Sequence, residues 1–146
     1  MAPNGQAPWK EAAFEAEYTF TNEVLGSGFS GPVRLARHKQ SGESVAVKSY
    51  REAKLSPLQQ KDLDSEIATQ SSADHPYVAR LHGVYKTAED LLLVMEHLEG
   101  GEVLDYLLET EGGLPEAHVR RVMQQLLSAV RHLHGRGMVH RDIKPE

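Results

Sequence analysis

Gly26-Ser27-Gly28-Phe29-Ser30-Gly31-Pro32-Val33 is followed, after a short polar turn, by Val45-Ala46-Val47-Lys48, and the rest of the chain is best read outward from these two pieces. Residues without Cβ let backbone N–H groups come close to phosphate oxygens, so the three glycines suit a lid over a nucleotide. The bare glycine spacing also occurs in dinucleotide-binding folds, where the third glycine opens a helix. Here Pro32-Val33-Arg34-Leu35 continues as a strand, Lys39-Gln40-Ser41-Gly42 supplies turn chemistry, and Val45 and Val47 resume the alternation. That order predicts strand, turn, strand. Period two puts Ala46 and Lys48 on one face of the second strand and Val45 and Val47 on the other. A small Ala46 leaves room for a flat ring while Lys48 projects toward the phosphates; without the glycines, Lys48 would read as a surface lysine on an amphipathic strand. Phe29 at the tip suits a shield over the phosphates or a plain aromatic at a turn, and Ser27 and Ser30 are equally what turns favour.

Toward the N-terminus, a first strand is expected from Tyr18 to Leu25, preceded by a disordered tail over residues 1–17. Toward the C-terminus, Ser56-Pro57-Leu58-Gln59 carries a capping box with proline at the first helical position, so a helix is expected from there to about Gln70. Leu63 and Ile67 lie one turn apart on its inner stripe, with Glu66 at the margin. His75-Pro76 forces an extended exit. Strands at Val78 to Tyr85 and Leu91 to Met95 bring the small sheet to about five. Gly100-Gly101 marks a break between a lobe over 18–97 and a second region over 98–146. A short helix is expected from Glu102 to Glu109. The strongest one runs from Pro115 to His134, with Val119, Val122, Met123, Leu126, Leu127, Val130 and Leu133 on an inner face that expects cover. Gly135 stands at its stop.

Bulk properties narrow the function classes. The 146 residues are 40% hydrophobic and 25% charged, as in a globular protein, and no run approaches the roughly 20 apolar residues of a membrane span. A net charge of -5 argues against a nucleic-acid surface, although basic residues gather between Arg131 and Arg141. The absence of cysteine excludes disulfides and thiolate metal sites and fits a reducing, cytoplasmic setting. His132 and His134 are two apart on a helix and face different ways, which disfavours a metal pair.

The glycine segment, Val45-Ala46-Val47-Lys48 and His140-Arg141-Asp142-Ile143-Lys144-Pro145-Glu146 resemble, in order and spacing, the motif set of eukaryotic protein kinases. The resemblance covers about Tyr18 to Glu146, and the Asp-x-Lys-Pro form is similar to the serine/threonine branch. Met95-Glu96-His97-Leu98-Glu99-Gly100-Gly101-Glu102 is similar to the calcium/calmodulin-regulated group. The fold thereby implied is α+β: a small lobe with a five-stranded antiparallel sheet and one helix, then the first helices of a large, mainly α lobe. The activity implied is ATP-dependent phosphoryl transfer to serine or threonine hydroxyls of a protein substrate.

Laid onto matching residues, the resemblance implies that Lys48 contacts the α- and β-phosphates and pairs with Glu66. It implies that Leu25, Val33 and Ala46 cover the adenine ring, with Met95 at its rear and the backbone of Glu96 and Leu98 at its edge. Glu102 would meet ribose or a basic substrate side chain. Gly26, Ser27, Gly28, Phe29, Ser30 and Gly31 would form the lid. Asp142 would orient the substrate hydroxyl proton, and Lys144 would stabilise charge on the transferred group. Arg141 matches a residue that contacts a phosphorylated activation loop in members so regulated, and His140 reads as structural.

The motif breaks off at Glu146, before the asparagine and aspartate that hold Mg²⁺ in the family. The sequence therefore reads as an N-terminal fragment, inactive alone, with metal ligands expected beyond Glu146. The alternative is a kinase-like module that binds nucleotide or regulates a partner without turnover. A dinucleotide-dependent oxidoreductase is disfavoured by the missing β-α-β context.

Overall fold

In the computed structural model, residues 9–10, 12–28 and 31–145 are described; Phe29, Ser30, Glu11, Glu146 and the first eight residues lie outside them. The chain divides into two compact units, residues 1–72 with 79–97, and residues 73–78 with 98–146.

The first unit is a six-stranded sheet with strand order β1-β5-β6-β4-β3-β2. Its strands are β1 (Trp9–Lys10), β2 (Tyr18–Gly28), β3 (Gly31–His38), β4 (Ser44–Arg51), β5 (Leu81–Lys86) and β6 (Asp90–Glu96). The five longer strands pair antiparallel, while β1 runs parallel to β5, with Trp9 opposite Val84 and Lys10 opposite Tyr85. The sequence supports five strands because the sixth has only two residues, too few to show a period.

Alternation along β4 gives the sheet two different faces. Val45 and Val47 point into one core with Ala36, Tyr85, Leu92 and Val94. Tyr50 points into the other, with Leu63 and Ile67 of helix α2 (Pro57–Ser72) and Val84, Leu91 and Leu93 of the sheet. The capping box forms as the sequence predicts: Ser56 N–H donates to Gln59 Oε1 at 2.9 Å and Gln59 N–H to Ser56 Oγ at 3.3 Å.

The expected tail is corrected over its described part. Phe14 opens a four-residue helix, α1 (Phe14–Glu17), and is only 1% exposed. Its ring stacks on Tyr18 at 5.3 Å and meets Phe20 at 4.7 Å, closing the sheet face that α2 leaves uncovered. The short prolines-and-alanines context of this segment conceals the point, because one large aromatic placed over an apolar sheet face contributes about 1.5–3 kcal/mol by itself.

The second unit contains α3 (Val103–Glu109) and α4 (Glu116–His134). Within it α4 buries only Ala129 and Leu133, while Val119, Met123 and Leu127 of its apolar stripe are exposed. His75 of the segment 73–78 contacts α4 through Ser128 Oγ at 3.1 Å and the His132 ring at 4.8 Å. Gly135 ends α4 in a right-handed conformation, and the left-handed turn falls at Gly137, with φ 74°.

Candidate active site

Lys48 stands in the middle of β4, on the face shared with α2. Strand register lines up Gly26, Val33, Lys48 and Leu93 in one row, and Leu35, Ala46, Met95 and Leu81 in the next. Directly opposed residues of antiparallel strands share a face, so Val33, Ala46, Lys48 and Met95 present their side chains to the same side. Leu25 has no partner in β3, since Val24 opposes Arg34 and Gly26 opposes Val33. Such a bulge turns the strand locally, here at the entry to the glycines.

Glu66 lies between Leu63 and Ile67 on α2, where it meets the strand. Lys48 Nζ donates to Glu66 Oε1 at 3.0 Å. The other carboxylate oxygen, Oε2, accepts from the Tyr50 hydroxyl at 2.9 Å. Lys48 Nζ lies 5.0 Å from the centre of the Tyr50 ring. Burial works to lower the Lys48 pKa, but the Tyr50 hydroxyl and the Glu66 carboxylate together outweigh it, so the ammonium is held above its ordinary range. Burial raises the Tyr50 pKa, a shift that Lys48 opposes and Glu66 reinforces. Tyr50 is absent from the sequence-predicted site; the period that places Ala46 and Lys48 on one face also places residue 50 there.

Glycine is required at the far end of the lid segment. Gly31 has φ 132°, and a Cβ there would lie 2.7 Å from the Ser49 carbonyl oxygen of β4. Gly26 has open space around it, so its glycine is not explained by crowding. Phe29 and Ser30 lie outside the described residues, while Ser27 pairs with Pro32 and Gly28 with Gly31 across the two strands.

At the other end of β6, Met95 Sδ is 3.8 Å from Gln70 Nε2, which ties it to α2. The Glu96 N–H donates to the Arg80 carbonyl at 2.8 Å, and Glu96 Oε2 accepts from the Arg80 N–H at 3.1 Å. That N–H is thus engaged within the protein. Leu98 and Glu102 belong to the second unit; Leu98 is exposed, and the Glu102 carbonyl accepts from Tyr106 N–H at 3.3 Å at the start of α3.

The His140 to Pro145 loop of the second unit has its own internal frame. Arg141 takes a left-handed backbone, φ 66°, which is costly for a residue with a Cβ. The Asp142 N–H donates to His140 Nδ1 at 3.3 Å, in keeping with a structural part for that histidine. Lys144 Nζ and Asp142 Oδ2 are 4.0 Å apart, both exposed, and the Pro145 carbonyl accepts from Leu104 N–H of α3 at 2.9 Å. Among the described residues no three His, Cys, Asp or Glu side chains gather as a metal cage, and no helix is long and apolar enough to cross a membrane.

Comparison with known proteins agrees with these motifs. The chain is 39% identical over 128 residues to serine/threonine-protein kinase D2 of Homo sapiens and of Rattus norvegicus, covering 87% of this chain and 14% of those proteins. It is 36% identical over 126 residues to a Dictyostelium discoideum protein named as a probable serine/threonine-protein kinase, covering 85% of this chain and 15% of that one. The chain therefore spans a small part of the length of the curated relatives it matches. Residues 19–146 match the protein kinase domain family, and the chain belongs to it.

Proposed function

We propose that this chain supplies the nucleotide-binding lobe and the start of the catalytic loop of a serine/threonine protein kinase, which transfers the γ-phosphoryl group of ATP to serine or threonine hydroxyls of a protein. The observation that carries this reading is the Lys48–Glu66 ion pair at 3.0 Å, on the strand next to the glycine segment. A lysine oriented by a carboxylate has one position from which to neutralise the α- and β-phosphates. Gly31 is demanded by the sheet itself, since its φ is positive and a Cβ would strike the Ser49 carbonyl, and the three glycines keep their positions free of side chains that would hinder a phosphate. Val33, Ala46 and Met95 offer the adenine ring an apolar wall, with Leu25 at its edge; the family resemblance assigns the adenine edge to the backbone of Glu96 and Leu98.

In this reading Asp142 orients the attacking hydroxyl and Lys144 balances charge on the transferred group, while Glu102 meets ribose or a basic substrate side chain. Mg²⁺, when bound, adds charge neutralisation at the phosphates. The run Met95 to Glu102 supports a place near the calcium/calmodulin-regulated group, and the lack of cysteine supports a cytoplasmic setting.

The test is phosphoryl transfer from radiolabelled ATP to a serine-containing peptide by the product of the full natural open reading frame. Lys48→Met and Asp142→Asn are each expected to lower kcat by about 10²–10⁴-fold. Full activity in either variant would overturn these roles, and calcium–calmodulin added to the same assay decides the regulatory assignment.

A further inference from the structure

We infer that Tyr50 is a positioning residue for the phosphate-binding lysine: its hydroxyl holds the free oxygen of Glu66 and so fixes helix α2 against the sheet, nucleotide present or not. The inference rests on the kinase reading of the Lys48–Glu66 pair. Both oxygens of Glu66 are engaged, Oε1 by Lys48 at 3.0 Å and Oε2 by Tyr50 at 2.9 Å, and both donors come from β4. The two donors differ in what they can do. Lys48 ends in a flexible ammonium that nucleotide phosphates would draw on, whereas Tyr50 is 4% exposed and its ring is fixed among Leu63, Ile67, Leu91 and Leu93.

A rigid donor on the sheet gives α2 an anchor that does not depend on the lysine. When Lys48 turns part of its hydrogen-bonding capacity toward phosphate, the Tyr50 bond keeps Glu66 in reach. The burial-raised pKa of the phenol agrees with a neutral hydroxyl that donates throughout the physiological range. The hydrogen bond is charge-assisted, the stronger class, and its loss would shift the balance between docked and undocked α2 by about tenfold.

Three measurements on the product of the full natural open reading frame decide the matter. Tyr50→Phe keeps the ring and removes only the donor; it is expected to lower kcat about tenfold while the KM for the peptide stays within twofold. Placed in a Glu66→Ala background, which lacks the acceptor, Tyr50→Phe is expected to cost little more, because both changes then remove one hydrogen bond. Full additivity, or a Tyr50→Phe enzyme with unchanged kcat, would overturn the proposal, since a packing role alone predicts additivity.

Amide exchange in the nucleotide-free protein provides a readout without catalysis: α2 should lose protection in Tyr50→Phe while β4 and β6 keep theirs. Unchanged protection of α2 sinks the positioning role. If the unmutated protein transfers no phosphate, the kinase reading fails, and the exchange result still decides what Tyr50 does. Should Tyr50→Phe fail to fold, the Tyr50 hydroxyl proton of the unmutated protein is expected to exchange slowly with solvent, and a freely exchanging proton would refute the bond.

Discussion

Phe14 and Tyr85 meet edge to face, with ring centroids 5.7 Å apart and planes at 84°. The contact joins the N-terminal segment to the centre of the sheet, and Tyr85 in turn donates its hydroxyl to Glu17 Oε2 at 2.9 Å. Truncating a buried phenylalanine removes its transfer free energy and leaves a cavity, so Phe14→Ala should destabilise the fold by about 3–5 kcal/mol. Urea unfolding of the variant against the parent checks this; a change below about 1 kcal/mol would mean that the segment is not integral to the core.

Gly31→Ala should lower stability by about 1–3 kcal/mol, because φ 132° is strained for any side chain and the new methyl meets the Ser49 carbonyl. Nucleotide affinity should fall with it. Gly26→Ala, by contrast, meets nothing within contact distance and should leave stability nearly unchanged. Thermal melting and fluorescent-nucleotide titration of the pair separate the two expectations.

His132 gives the second unit a pH dependence. Desolvation, the charge of Arg136 and the neighbouring His75 hold its imidazole below the ordinary histidine range, with Asp74 opposing. A folded-state pKa below the unfolded value means that the unfolded chain binds more protons in the window between them. The contribution is therefore fully present above about pH 6.5 and is lost as pH falls through the folded value. Melting temperature followed by helix ellipticity should drop between pH 7 and pH 5, and the drop should be smaller in His132→Gln.

The stripe Val119, Met123 and Leu127 on α4 is exposed, Leu127 at 61%. Apolar faces of this kind drive self-association. Sedimentation of the 146-residue chain should show concentration-dependent oligomers, and Met123→Glu with Leu127→Glu should shift it toward monomer without lowering its melting temperature. A chain that is already monomeric at high concentration would contradict this.

The five longer strands, α2 and its capping box, and the placing of Ala46 and Lys48 on one face of β4 follow from patterns that sequence carries: period two, turn residues and cap chemistry. Glu66 is legible because Leu63 and Ile67 bracket it on one helical stripe. Phe14 and Tyr50 are not. Phe14 acts through a sheet formed by residues far along the chain, and a short apolar segment has no period to announce it. Tyr50 belongs to the predicted face of β4, but the sequence leaves open whether its hydroxyl meets a carboxylate or solvent. The left-handed turn at Gly137, two places beyond Gly135, is a matter of which glycine closes α4, and spacing alone does not distinguish them.

Strand β4 presents Val45 and Val47 to one core, and Ala46, Lys48 and Tyr50 to the other side. Its odd and even positions therefore answer to different selective demands. Drift at Val45 or Val47 changes how firmly the molecule stands, and drift at Ala46 or Lys48 changes what the proposed pocket accepts, so variation in this eight-residue strand can tune durability and ligand preference almost separately. Insertion of a single residue would exchange the two sets at once, which makes the length of β4 less free to vary than its composition.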